Sequence, residues 1–74
     1  MNKPDFDYSK LRGRIVEKFG SVSAFSRHLG VLPQQINPKL LGQKGITTKD
    51  ILEWCEALDI EVSDIGVYFF ALKV

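Results

Sequence analysis

The chain has 74 residues, of which 45% are hydrophobic and 26% are charged, a composition typical of one small globular domain and not of a disordered segment. No apolar run reaches the roughly 20 residues of a membrane-spanning helix, no apolar signal segment follows the N-terminus, and the single cysteine excludes an internal disulfide. We therefore expect one cytoplasmic domain over residues 1–74, with no membrane partner.

The charges are divided unevenly along the chain, although the net charge is only +1. Residues 1–49 contain nine of the ten Lys and Arg and three acidic residues, which gives this part a charge of +6. Residues 50–74 contain one Lys and six acidic residues, which gives −5. This asymmetry indicates either that one face contacts a polyanion or an acidic partner, or that the two parts attract each other within the fold.

The first two predicted helices have one apolar face each. Leu11, Ile15 and Phe19 recur every four residues, so they share a face of a helix that begins near Ser9 and ends at Gly20. The second helix follows at once and ends at Gly30, with Ser21 or Ser23 as its cap and Val22, Phe25 and Leu29 on its apolar face.

The third predicted helix begins at Pro33, because a proline loses nothing by lacking an N–H in the first turn. Only residues 30–32 join it to the second helix, which is short enough to require a tight turn. Ile36 and Leu40 are four apart and can face the core, and Gly42 closes the element. The opposite face has polar side chains that are long enough to reach DNA base edges, namely Gln34, Gln35, Asn37 and Lys39.

Two more helices are predicted in the acidic part of the chain. Thr47 and Asp50 have the spacing of a capping box at the start of the fourth helix. Its apolar face is predicted to hold Ile51, Leu52, Cys55 and Leu58, with Trp54 beside it. A short last helix ends in the apolar stretch 68–72.

Residues 22–41 therefore have the spacing of a helix-turn-helix. The segments SAFS (23–26), LLGQK (40–44), DILEWCEAL (50–58) and YFF (68–70), with Gly30 and Ile36, make the chain similar to the lambda repressor and Cro family, especially its small phage proteins of the Cro type. The resemblance covers about residues 9–70. It implies an all-α, compact five-helix lambda-repressor-like domain with a helix-turn-helix at helices 2 and 3, acting in a phage or prophage lysogeny/lytic switch.

The resemblance also implies operator DNA as the partner, because the second helix of this motif enters the major groove in that family. By position, Gln34 and Gln35 would lie near base edges, where glutamine can pair with adenine through both of its groups. Asn37 and Lys39 would read further along or contact phosphate. The helix N-termini at Ser21 and Ser23 would contact the DNA backbone, and Arg27, Lys44 and the basic residues of helix 1 would add non-specific attraction.

Two departures from the family pattern favour a second hypothesis. Leu32 stands where the family usually has a Ser or Thr cap, and Pro38 inside the third helix removes a backbone hydrogen bond at a cost of about 3 kcal/mol. A helix shortened or kinked in this way suits an antirepressor or modulator that binds a phage repressor protein and masks its DNA-binding surface. Val31, Leu32 and Pro33 would belong to that surface, unless Leu32 is simply a core residue.

Nothing in the sequence indicates catalysis or a bound metal. A metal site needs several ligands, whereas the single His28 is expected at the surface and Cys55 in the core. We expect no enzyme activity, no cofactor, no metal and no small-molecule substrate. Residues 1–8 are predicted to form an N-terminal arm and 71–74 a C-terminal tail. The apolar residues 67–74 are predicted to close the core in part, and the remainder either seals the monomer or forms a homodimer interface.

Overall fold

The computed structural model describes residues 6–73. Within that range the chain forms α-helices and one 3-10 turn, and an isolated bridge is the only β-pairing. The helices are α1 (Ser9–Phe19), α2 (Val22–Leu29), α3 (Pro33–Leu40), α4 (Thr48–Leu58) and α5 (Ile65–Phe69), with the 3-10 turn at Val62–Asp64 just before α5. The predicted all-α architecture of five helices is confirmed.

Local signals in the sequence place the helix ends correctly. Gly20 and Gly30 follow α1 and α2 with φ of 86° and 76°, a left-handed conformation that favours glycine. The Ser21 hydroxyl caps α2 by accepting a hydrogen bond from the Ala24 N–H at 3.1 Å. At α4 the predicted capping box is present, because the Asp50 N–H donates to Thr47 Oγ1 at 3.1 Å and the Thr47 N–H donates to Asp50 Oδ2 at 3.0 Å.

The core is built around Trp54, whose side chain is 1% exposed. Its ring meets Phe25 of α2 edge-on at a centroid distance of 5.5 Å and Phe69 of α5 at 6.3 Å. Leu11 and Ile15 of α1 are fully buried in the same cluster. One aromatic side chain of α4 therefore packs against rings of two other helices, α2 and α5.

The predicted apolar face of α4 is wrong at one position. Leu52 is 62% exposed, and Trp54 takes its place in the core beside Cys55 and Leu58. The tertiary packing rotates α4 so that it buries its indole, which has more apolar surface than a leucine side chain. Cys55 is buried as predicted, and the burial raises the pKa of its thiol.

The N-terminal segment is tied to the C-terminal tail. Phe6 and Leu72 form an antiparallel bridge, and the Asp7 N–H donates to the Ala71 carbonyl at 2.6 Å. Phe6 also contacts Phe70 edge-on at a centroid distance of 5.6 Å. Of the predicted arm over residues 1–8, residues 1–5 lie outside the described residues, and residues 6–8 are held against the tail.

The tail divides as the sequence predicts between core and surface. Phe69 is buried, whereas Val67, Phe70 and Leu72 remain exposed. No helix between residues 6 and 73 combines the length and apolarity needed to cross a bilayer. The homodimer interface stays a prediction.

Part of the charge asymmetry is used inside the fold. The Arg14 Nε donates to the Leu58 carbonyl at 2.9 Å, and Lys18 forms an ion pair with Asp59. Two basic side chains from residues 1–49 therefore contact the end of α4, which belongs to the acidic residues 50–74. Of these contacts, the Lys18–Asp59 ion pair is one that the interpretation of mutual attraction expects.

Candidate partner-binding surface

The turn between α2 and α3 is held by backbone hydrogen bonds. The Val31 N–H donates to the Ser26 carbonyl at 3.0 Å, and the half-buried Val31 side chain packs against the core. The buried Ser26 hydroxyl is satisfied by donating to the Ser23 carbonyl at 2.8 Å. Leu32, the next residue, is 62% exposed. The interpretation of Leu32 as a core residue is therefore wrong, because the anchored Val31 fills the core side of the turn.

The α3 helix begins without a hydroxyl cap, and Gln35 supplies a substitute. The Gln35 Oε1 accepts a hydrogen bond from the Leu32 N–H at 2.9 Å, and the Gln35 N–H donates to the Leu32 carbonyl at 2.9 Å. Pro33 occupies the first turn, as predicted. A bidentate contact to adenine needs both the oxygen and the NH₂ group of a glutamine. The predicted base contact by Gln35 therefore conflicts with its role at the start of α3.

Lys39 does not lie on the exposed side of α3, contrary to the prediction that it contacts DNA. Its Nζ is 2.6 Å from Asp50 Oδ2, and the two side chains are only 21% and 18% exposed. The reason is tertiary, since α4 begins beside the last turn of α3 and supplies the carboxylate. The one charged residue of α3 is therefore neutralised within the fold.

Asp50 is held in its charged form by this arrangement. Partial burial alone would raise the pKa of Asp50, but hydrogen bonds from Lys39 and Thr47 and the charge of Lys39 together hold the pKa below its ordinary value of 3.8. A carboxylate with a lowered pKa in the folded state stabilises the fold above its unfolded pKa. That contribution is lost as the pH falls through the folded value.

We therefore expect the free energy of unfolding to decrease as the pH drops below about 3.8. In Asp50→Asn this decrease should be smaller, because the variant has no carboxylate to protonate at this position. Urea titrations of both proteins between pH 7 and pH 2 measure it. At pH 7 the variant should be less stable by about 1–3 kcal/mol, because Lys39 loses its partner and the cap of α4 is weakened. Asp7 and Asp59 also have lowered pKa values, so the difference between the two curves isolates Asp50. Parallel curves would contradict the assignment.

Apart from Lys39, the outward-facing side chains of α3 and the residue that follows it form a surface without charge. Gln34, Asn37, Pro38 and Leu41 lie at i, i+3, i+4 and i+7, so they share one side of the helix. All are exposed except the half-buried Pro38, and Leu41 is 61% exposed. These four residues, with Leu32 and Gln35, are called the α3 surface below. Leu41 was missed by the sequence analysis, although its place four residues after Asn37 marks it as an outward position.

The predicted phosphate contacts lie around this surface and not on it. Arg27 is exposed in the last turn of α2, and Lys44 is exposed in the loop after α3. That loop is held by the Pro38 carbonyl, which accepts hydrogen bonds from Gln43 N–H at 2.8 Å and from Lys44 N–H at 3.2 Å. Ser23 is exposed, whereas the hydroxyl of Ser21 is already occupied as the cap of α2.

His28 is exposed and its ring lies against Phe19 at a centroid distance of 5.0 Å, which agrees with its predicted surface position. Among residues 6–73, no three His, Cys, Asp or Glu side chains come together in a group that could hold a metal ion.

Comparison with known proteins adds the family. A model of the family described as "Protein of unknown function (DUF739)" matches residues 5–72. The chain belongs to the DUF739 family. No curated protein matches it in sequence.

A solved structure is similar over most of its length. The solution structure of the modulator of repression (MOR) of the temperate bacteriophage TP901-1 from Lactococcus lactis is 32% identical in sequence, with a TM-score of 0.79, and the match covers 88% of each chain. This DUF739 protein therefore shares its fold with a phage protein that is named for an effect on repression.

Proposed function

We propose that this DUF739 protein is a phage or prophage modulator of repression. In this proposal it binds a repressor protein through the α3 surface and covers the surface by which the repressor binds DNA. The observation that carries the proposal is the absence of charge on the α3 surface, since the only charged residue of α3 is paired with Asp50. The similarity to a protein named modulator of repression supports it.

An uncharged surface favours a protein partner over DNA for a physical reason. Binding to DNA depends on Lys and Arg that neutralise phosphates and release counterions. The cores of protein interfaces, by contrast, are depleted of charge and combine apolar side chains with groups that form hydrogen bonds. Leu32 and Leu41 lie at the two ends of the α3 surface with about three fifths of their area in solvent. Their burial against a partner would contribute to affinity, whereas phosphates offer them nothing.

Operator DNA is the second candidate partner. The side chains of Gln34 and Asn37 are exposed and chemically able to read base edges, and Arg27 lies nearby on α2. Gln35 and Lys39, which the same interpretation requires, are engaged elsewhere. A protein that binds operator DNA would have to work with fewer contacts than the resemblance to the Cro type implies.

Three mixtures separate the two candidates. The protein is combined with the DNA upstream of its own gene, with the repressor encoded beside it, and with both, and each mixture is examined by gel mobility and size exclusion. We expect a complex with the repressor at micromolar concentration, release of operator DNA from the repressor, and no shift of DNA by the protein alone. Separate elution of the two proteins would reject the proposal. A sequence-preferring DNA complex that weakens steeply with salt would support the second candidate.

A further inference from the structure

The hydrogen-bond ladder of α3 is interrupted at Pro38. Pro38 lies inside α3, four residues after Gln34. In an α-helix the N–H of residue i+4 donates to the carbonyl of residue i, and a proline has no N–H. The carbonyl of Gln34 therefore lacks the N–H that residue 38 would normally supply. The carbonyl of Pro38, in contrast, is occupied by the N–H groups of Gln43 and Lys44.

The position of the Gln34 carbonyl suits it to accept a hydrogen bond from a partner. Gln34 is exposed, and it lies on the same side of α3 as Asn37, Pro38 and Leu41. An acceptor that receives no hydrogen bond from residue 38 is thus added to the polar side chains of Gln34 and Asn37 on this side of α3. Water can satisfy the carbonyl in the free protein, so an incoming N–H group has to replace only solvent.

The chemistry of a DNA-binding surface matches such an acceptor. DNA exposes phosphate oxygens and, in the major groove, the N7 and O6 or O4 acceptors of its bases, so the proteins that bind it are rich in side-chain N–H donors. A protein that covers such a surface leaves those donors buried unless it supplies acceptors in turn. On the α3 surface the exposed side chains of Gln34 and Asn37 offer amide oxygens as acceptors, whereas the Oε1 of Gln35 is already committed to the Leu32 N–H.

We propose that Pro38 frees the Gln34 carbonyl to accept a hydrogen bond from an Arg, Lys, Gln or Asn side chain of the repressor's DNA-binding surface. This inference rests on the function proposed above and identifies the part of the partner that is recognised. It also gives Pro38 a role in binding that offsets its cost in the helix, since proline is the least favourable residue in a helix interior.

Two substitutions with the same backbone effect test the proposal. Pro38→Ala and Pro38→Leu both restore an N–H that can reach Gln34, and both keep the carbonyl that holds the loop at Lys44. Pro38→Leu also keeps a large apolar side chain. The restored bond outweighs the extra freedom of the unfolded chain, so we expect both variants to melt about 5 °C or more above the parent protein. The amide of residue 38 should become protected from hydrogen exchange.

The affinity for the purified repressor should fall in both variants, although their melting temperature rises. We expect the Kd to rise about tenfold in both variants, which is the effect of losing one hydrogen bond at a desolvated interface. Gly13→Ala in α1 is the matched control, because it should also stabilise a helix but lies outside the α3 surface, and it should change the Kd by less than about threefold.

The outcomes separate this inference from the function itself. If the parent protein does not bind the repressor, the proposed function fails and the inference fails with it. Unchanged affinity in both variants, alongside normal binding by the parent protein, would overturn the inference and leave the function intact. If the affinity falls in Pro38→Ala but not in Pro38→Leu, the effect comes from the packing of the proline ring. That result would also overturn the inference. Weaker binding with a lower melting temperature would mean damage to α3, and would also count against it.

Discussion

Replacing Leu32 with aspartate is expected to abolish the proposed binding to a repressor while leaving the fold intact. Leu32 is 62% exposed, so its removal creates no cavity in the free protein. Its backbone is extended at the position that precedes α3, where aspartate is among the best caps. The unfolding midpoint should therefore be unchanged or higher. The Kd should rise about a hundredfold or more, because an apolar contact at one end of the α3 surface is lost and a carboxylate is desolvated in its place.

The chain offers a matched control for this experiment. Leu52 on α4 has the same 62% exposure but lies outside the α3 surface. Leu52→Asp makes the same change of charge and should leave the Kd within about threefold. Leu32→Ser removes the apolar side chain without adding a charge, and we expect it to lose about tenfold, which separates burial from charge. Full binding by Leu32→Asp would place the interface elsewhere on the molecule.

Trp54→Ala is expected to have the largest effect on stability. Truncating a buried tryptophan costs about 3–5 kcal/mol, because the apolar contacts are lost and a cavity remains. The indole contacts Phe25 and Phe69, so its loss loosens α2 and α5 together. At about 0.05–0.15 kcal/mol per residue, a domain of this size has only about 4–11 kcal/mol in total. We expect a variant that is largely unfolded near 37 °C.

Urea denaturation followed by circular dichroism measures this effect without relying on tryptophan fluorescence. Leu52→Ala, two residues away on the same helix, should change the free energy of unfolding by less than about 0.5 kcal/mol, because the leucine side chain is mostly in solvent. Equal losses in the two variants would show that α4 is not rotated as described. The measured stability of Trp54→Ala also defines how far other core positions can be altered.

The helix boundaries were predictable from sequence because the interactions that set them are local. Glycine at the ends of α1 and α2, the serine cap of α2 and the Thr47–Asp50 capping box all act within about four residues. The reciprocal contact between Leu32 and Gln35 is equally local, although no hydroxyl residue stands at the cap position. A glutamine three residues after a cap position is itself the signal.

The candidate site was harder to predict, because helical periodicity shows which residues share a face of a helix but not what that face contacts. Gln34 and Asn37 are exposed as expected, but Lys39 is paired with a residue 11 positions away. No local sequence pattern could distinguish that lysine from an exposed lysine that is free to bind phosphate. The same limit explains why Leu52 was assigned to the core.

Backbone geometry and neighbouring side chains are enough to specify five helices, a tight turn after α2 and a proline-interrupted third helix. Helix packing is what turns Val31 inward and Leu32 outward, and what brings α4 to neutralise the one charge of α3. Burial and ion pairing depend on which helices meet in space, and that is settled by the packing of the whole core around Trp54.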